Sequence, residues 1–468
     1  MTAGPMIKSR GGTRVSVLRR VSLRVADMAL RWLTMLTDVI PAKYRFGHWN
    51  RLLAVLAFGD RLPVVGPVAV APAVVDAVKP DFVGARLSCM ILAGDLDTGG
   101  VETVVAALAP GLSSIGFDVE VVCSTGGAAE RRLRETGVHV SLLPHDQVGS
   151  HIALRQPDVI QLHRLDPTLI ETLGPWWSRT VPVLHAMESY LTGDVWDHVG
   201  ALLRDAPSSI AVSESVRDYF EQKTGTTPHV VENGVPPVGT LDGPQRAAAR
   251  AAVGRALGTV FEDGDIVVLG LQRFSDQKNP AGLVDAFLLA AEQDPRLHLV
   301  VAGAPNSWLE IRRADIIRRR HANGDRVHFL GDSDSTALFQ GSDVFALDSF
   351  SEGGPIAAVE AVAHGLPIVV TDVGFARELV DACRPHGVLI TRANEDFGER
   401  SMARQRRKLR QSNRQAFADG ILQITRAADA PRHPQLPERF TESAMIHRHA
   451  EVLRSVSGWR QPPRRVIL

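Results

Sequence analysis

Val344-Phe-Ala-Leu-Asp-Ser-Phe-Ser-Glu-Gly-Gly-Pro-Ile-Ala-Ala-Val-Glu360 changes character twice in seventeen residues. The apolar run Val344–Leu347 has the length and composition of a buried parallel strand. A polar turn with two glycines follows, and Pro355 suits the first turn of a helix over Ile356–His364. Strand, glycine turn and helix in this order form the unit of a doubly wound sheet. The turn itself lies where such sheets bind ligands, beyond a strand's carboxyl end. Gly353 and Gly354 let backbone approach a ligand, and the helix start offers free N–H groups to an anion. Glu352 and Glu360 then lie on the loop and on the helix that it opens, as acceptors for a hydroxyl-rich partner such as a ribose or hexose. Two Glu residues eight apart are also common on ordinary surface helices, so the glycine turn carries most of this reading.

Outward from this unit the same alternation recurs. Strands are expected at Leu87–Ala93, Asp118–Cys123, Val138–Leu142, Val159–Leu162, Val181–His185, Ser209–Val212 and His229–Val231. After the Gly- and Pro-rich stretch from Asn233 they resume at Asp265–Leu269, Leu297–Ala302, Val327–Leu330, Val344–Leu347, Pro367–Thr371 and Val388–Ile390. Helical stretches such as Val101–Ile115 and Ala128–Thr136 lie between them. The pattern predicts an α/β chain of two Rossmann-like doubly wound domains facing a central cleft. Their limits read as 86–235 and 236–440, with a basic extension 1–85, a last helix 441–456 and a tail 457–468. The charged stretch Glu399–Ile424 reads as helix.

Three further strand-end segments carry chemistry. Gly270-Leu-Gln-Arg-Phe-Ser-Asp-Gln-Lys-Asn-Pro follows the first strand of the second domain and brings Arg273 and Lys278 to a loop, where they could neutralise a diphosphate. Gly94-Asp-Leu-Asp-Thr-Gly-Gly-Val-Glu joins the first strand to its helix, with Gly99 and Gly100 at the helix start. It lacks the spaced glycines of a dinucleotide fingerprint. His163 and His185 each end a first-domain strand. The Asp95/Asp97 and Asp332/Asp334 pairs have a spacing that occurs in metal sites and also by chance, and no metal is expected.

Composition narrows the classes. The chain has 468 residues, 45% apolar and 22% charged, with zero formal net charge, which gives no global field for nucleic acid. Cys89, Cys123 and Cys383 match no ligand spacing and read as buried free thiols. No secretory signal is visible, and the uncharged run Leu62–Val75 is broken by three prolines and too short to span a bilayer. The chain therefore reads as cytoplasmic. Residues 1–61, however, hold eleven Lys/Arg against three Asp. Val17, Val21, Val25, Met28, Trp32, Met35 and Val39 form one apolar helical stripe, flanked by Arg20, Arg24 and Arg31. Such a helix over residues 14–40 either makes peripheral contact with an anionic membrane at its inner face or packs on the protein.

In their order along the chain, these segments resemble the retaining GT-B glycosyltransferases of family four, over roughly residues 86–455. The family's Glu-x7-Glu spacing matches Glu352–Glu360, and His364-Gly-Leu-Pro-Ile-Val-Val-Thr-Asp-Val-Gly and Arg377-Glu-Leu-Val follow it. Arg273, Lys278 and Asn279 resemble its diphosphate clamp, and Gly99-Gly100-Val-Glu its glycine loop. Ala211-Val-Ser-Glu and Asn233-Gly-Val match the end of its first domain. The resemblance implies transfer of a hexose from a nucleoside-diphosphate sugar to a glycan or lipid-linked acceptor hydroxyl, in polysaccharide, glycolipid or cell-envelope synthesis. Glu352 would contact the sugar, Glu360 the ribose, and His185 would lie near the sugar. The catalytic set is then Glu352, Arg273, Lys278 and His185. The donor-binding set is Gly353, Gly354, Pro355, Glu360, Gly99 and Gly100. The nucleotide sugar is a co-substrate, and no other cofactor or metal is implied. The final helix would cross back onto the first domain. Arg384–Glu438 is looser than the family pattern, and residues 1–85 have no counterpart in it. A nucleotide-sugar epimerase of the same fold, or a degenerate GT-B module that binds sugar or partner proteins without catalysis, are the alternatives.

Overall fold

A continuous apolar run needs cover on both faces, so these strands can be stable only inside a sheet sandwiched by helices. The computed structural model has that arrangement twice. It describes residues 17–37, 64–65, 84–97, 99–191, 193–239, 243–426 and 436–458. The rest of the basic extension, Leu62–Val75 apart from Val64–Val65, linker residues 240–242, the loop 427–435 and tail residues 459–468 lie outside the described residues.

The chain enters with helix α1 (Val17–Thr37). The first sheet follows, with β1 (Leu87–Leu92), helix α2 (Gly100–Ser114), β2 (Phe117–Cys123), β3 (His139–Leu142) and β4 (Val159–Leu162). It is completed by β5 (Thr180–Leu184), β6 (Ile210–Ala211) and β7 (His229–Val230). All are parallel, in the order β7-β6-β5-β4-β1-β2-β3.

The second sheet contains β8 (Ile266–Leu271), α3 (Pro280–Ala291), β9 (Leu297–Ala302), α4 (Trp308–Arg320) and β10 (Val327–Leu330). It continues with β11 (Val344–Leu347), α5 (Ile356–Ala363), β12 (Ile368–Thr371) and β13 (Gly387–Ile390). The order is β10-β9-β8-β11-β12-β13, again all parallel. The sequence pattern had no room for one further strand: Val64–Val65 extends this sheet beside Phe329–Leu330.

In both sheets the winding reverses beside the first strand, between β1 and β4 and between β8 and β11. The loops leaving those strands diverge there and open a crevice at the carboxyl edge. This places the segments after β1, β8 and β11 at ligand-binding positions.

The last helix, α6 (Glu442–Val456), is capped by Thr441, whose hydroxyl accepts from Ala444 N. Its face Met445, Ile446, His449, Ala450 and Leu453 is buried, and Ile446, Ala450 and Leu453 join the core of the first sheet. Ile446 fills the space over Gly111, where an added Cβ would lie 2.3 Å from its Cδ1. The crossing is anchored at Val235, whose N–H donates to Phe440 O at 3.0 Å and whose carbonyl accepts from Glu442 N at 2.9 Å. Buried Glu232 is met there by Arg448 at 2.8 Å and by Arg439.

Two expectations change. Glu399–Ile424 is two helices, Glu399–Arg406 and Arg414–Thr425, because the intervening residues turn to supply side chains to the site described below. Cys89 and Cys123 are buried free thiols, whereas Cys383 is only partly buried.

Leu453→Ala removes a fully buried side chain that joins the last helix to the first sheet. It should cost about 2–5 kcal/mol in urea unfolding, and a loss well under 1 kcal/mol would show that this helix face is not packed.

Candidate nucleotide-sugar site

Beyond β11, Glu352 is buried, and a buried carboxylate must be paired or lose its charge. Its partner comes from the loop after β8: Lys278 Nζ contacts both Glu352 oxygens, Oε2 at 2.5 Å. Ser349 Oγ donates to Oε1 at 2.7 Å. Phe350 N donates to Gln277 O at 2.9 Å, and Thr371 Oγ1 to Ser349 O at 2.9 Å, so the turn is fastened to both neighbouring strand ends. Arg273 is exposed on the same loop as Lys278 and has no partner among the described residues.

Behind the turn lies a buried polar group. Asn279 caps α3 from a left-handed backbone (φ 49°), its Oδ1 accepting from Gly282 N at 3.2 Å. Its Nδ2 donates to Asp348 Oδ2 at 2.9 Å, and it exchanges a pair of 2.8 Å amide bonds with Gln411. Asn413 Nδ2 donates to the other Asp348 oxygen at 2.7 Å. Burial pushes the Asp348 carboxyl up to about 8 against these two donors. The stretch read as loose therefore closes the back of the site. Asp348, Gln411 and Asn413 were not among the residues singled out from sequence, because only the fold brings positions 411 and 413 against 279 and 348.

Pro355 is the N-cap of α5 rather than its first helical residue, so the amides of the first turn face the loop unbonded by a capping side chain. Glu360, one turn further along, has no side-chain partner among the described residues, and burial raises its carboxyl to about 7. Both amide atoms of Gln272 and the hydroxyl of Ser351 are buried without a hydrogen-bond partner. Unsatisfied polar atoms in the two ligand loops mark where an incoming polar molecule would complete the bonding.

The first sheet meets this turn directly. A Cβ added to Gly353 would lie 1.9 Å from the His185 carbonyl oxygen, and one on Gly354 2.3 Å from the Phe375 ring. No side chain fits at Gly353 while these backbones touch. Gly99 caps α2, and Gly100 faces Ile356 Cδ1 across the cleft, 3.4 Å from where its Cβ would be. Tyr190 Oη donates to Asp276 Oδ1 at 3.1 Å, and Ser215 Oγ to Gly374 O at 3.0 Å.

His185 belongs to a buried chain. Gln161 Nε2 donates to His449 Nδ1 at 2.8 Å, and Gln161 Oε1 accepts from His163 Nε2–H at 3.0 Å. His163 Nδ1 lies 2.9 Å from His185 Nε2. Burial lowers all three imidazoles, His185 to about 4, His449 to about 3 and His163 well below its usual range. A neutral His163 that donates from Nε2 must accept at Nδ1, so His185 Nε2–H donates to it. His185 Nδ1 is then an acceptor for a hydroxyl. Neither Gln161 nor His449 was suspected from sequence. Glu188, three residues beyond His185, was also missed; its backbone is left-handed (φ 47°) and burial raises its carboxyl to about 7. One member of each aspartate pair bonds to backbone. Asp97 Oδ1 accepts from Ala128 N at 3.3 Å, and Asp334 caps the helix Ser335–Gly341.

Two opposed Rossmann-like domains with a cation-bearing loop, a glycine turn and a helix start at the cleft define the GT-B architecture. Residues 258–403 match the family model described as glycosyl transferases group 1, and residues 98–238 match glycosyltransferase family 4. A D-inositol 3-phosphate glycosyltransferase of Jonesia denitrificans is 28% identical over 353 residues, 64% of this chain and 80% of that one. An O-antigen biosynthesis glycosyltransferase of Escherichia coli, WbnH, is 27% identical over 131 residues, 28% of this chain. The aligned stretch spans 35% of the length of that relative, about a third. The Anabaena protein HepE, solved with UDP-glucose, superposes with a TM-score of 0.60 at 20% identity, covering 79% of this chain and all of its own. The chain belongs to the GT-B glycosyltransferases.

Gly353→Ala should break the contact with the His185 carbonyl. Hydrogen exchange at Ala186 and in the Gly353–Ile356 turn should quicken by about tenfold or more, with the core strands unchanged. Unchanged exchange would mean that the two halves do not rest on this glycine.

Proposed function

We propose that this protein is a retaining glycosyltransferase that moves a hexose from a nucleoside-diphosphate sugar to an acceptor hydroxyl, in the synthesis of polysaccharide, glycolipid or cell-envelope glycan. The observation that carries this reading is the meeting of Lys278, Glu352 and the His185 segment at one glycine turn. The diphosphate would lie between Arg273, Lys278 and the first-turn amides of α5. There its growing charge on departure is stabilised by groups already in position. An ammonium has three N–H donors and Glu352 engages two, so Lys278 can hold the turn and still reach a phosphate oxygen.

Retention of configuration comes with the likeness to family four, and the site bears on how it would be reached. Glu352 is occupied by Lys278 and Ser349, and a carboxylate so bonded is a poor nucleophile. Attack from the face that the diphosphate leaves needs no protein nucleophile. Glu360 is the acceptor for the ribose hydroxyls, and His185 Nδ1 for a hydroxyl of the sugar. The glycan or lipid-linked acceptor would enter from the first domain, with the chain at the inner face of a membrane. A UDP-sugar heads the donor panel, since UDP-glucose is the ligand in the HepE structure.

Lys278→Ala should weaken nucleoside-diphosphate binding by about 10- to 100-fold, the worth of one charged hydrogen bond, in isothermal calorimetry. Unchanged affinity sinks the clamp. Donor binding should also carry a pH signature. Hydroxyls donated to Glu360 favour its carboxylate, so binding lowers a group that stands at about 7 and releases a proton. Affinity should rise from pH 6 to about 8, and Glu360→Gln should flatten that rise and abolish the Glu360 share of proton release. A pH dependence identical in the variant would remove the ribose role from Glu360.

A further inference from the structure

Helix α1 packs on the protein with one face and leaves another in solvent. The face Ala26, Leu30, Leu33 packs on Leu309 and Ile316 of α4, with Leu30 fully buried and Thr34 bonded to Leu30 O at 2.7 Å. The stripe read from the sequence points elsewhere: Val25 is 55% exposed, Met28 56%, Trp32 64% and Met35 37%, and Leu36 beside it is 60% exposed. A seated helix that keeps five large apolar side chains in water needs a second partner.

We propose that this outer face of α1 is a docking surface for an anionic lipid membrane, seated on the donor half of the molecule. Charge selects this occupant. Residues 17–37 hold four arginines against one aspartate, and Arg24 is exposed next to Val25. Arg20 and Arg31 recur with Arg24 at helical spacing in the sequence, along the same flank of the stripe. Anionic headgroups would neutralise such a flank, while Trp32 and the aliphatic chains enter the boundary below them. A second copy of the chain placed face to face would bring like charges together instead. No described helix is long and apolar enough to cross a membrane, which agrees with a helix lying in the interface plane.

The seat has a consequence for the site. The residue before α4, Ser307, donates its N–H to Phe274 O at 2.6 Å, in the loop that carries Arg273 and Lys278. Glu310 of α4 binds Arg406 at 2.5 Å, and Arg406 lies 3.6 Å from Asp276 of the same loop. A membrane held by α1 is therefore one helix away from the donor clamp, and it is the donor half that the surface immobilises.

The test is flotation of the full-length protein with vesicles of phosphatidylcholine, with and without about one-third phosphatidylglycerol. Binding should require the anionic lipid and fall steeply as salt shortens the Debye length. Met28→Asp with Trp32→Asp should reduce the bound fraction about tenfold or more, and Arg24→Glu should weaken it further. All three sites are exposed, so thermal unfolding and UDP affinity should stay at wild-type values. UDP affinity also separates this proposal from the transferase reading, which can fail or hold on its own. Equal binding to neutral and anionic vesicles, no binding, or binding untouched by the variants overturns the proposal. So does a wild-type dimer in light scattering that the Asp variants dissociate, which would assign the face to a second copy.

Discussion

A carboxylate taken out of water at the end of a strand has to be met by a cation, and the Lys278–Glu352 pair meets that need across two loops. The pair joins the ends of β8 and β11, the two strands between which the second sheet reverses its winding. Because Lys278 holds the turn from one side and Thr371 and Gln277 from the others, Gly353 and Gly354 are presented at a fixed height. That height lets the His185 backbone rest on Gly353. Remove the pairing, and the turn, the helix start and the contact between the sheets lose their common reference.

The fold was legible because its strands are buried on both faces and read as unbroken apolar runs. Val159–Leu162, Leu297–Ala302, Val327–Leu330 and Val344–Leu347 fall on the residues that the pattern predicts. Val64–Val65 was not legible, since two residues carry no period; only the open edge at β10 gives them a place. The break at Arg407–Asn413 was hidden for a different reason. Those residues contain no proline or glycine, and the chain leaves the helix there so that Gln411 and Asn413 reach buried partners. Tertiary hydrogen bonds outweighed local helix propensity.

The site was legible where its residues sit on loops that follow strands, as Arg273, Lys278, Glu352 and His185 do. It was illegible where one side chain supports another over a long separation. Gln161 and His449 are joined across 288 positions to set the tautomer of His185, and neither lies in a motif. The α1 stripe shows a third limit. Periodicity finds an apolar face but does not say whether protein or lipid covers it, and here the neighbouring, less conspicuous face of Ala26, Leu30 and Leu33 does the packing.

The chain passes between its two halves at Val235 and again at Thr441, and these two passages lie side by side, hydrogen-bonded to one another. Glu232, with Arg439 and Arg448, ties the same spot. Two cords knotted together at one point resist twist and lateral sliding far better than they resist bending. A swing about that knot, like the cover of a book about its spine, is the displacement that these bonds oppose least. Such a swing would part Gly353 from His185, and the shared anchor would bring the two backbones back to the same contact.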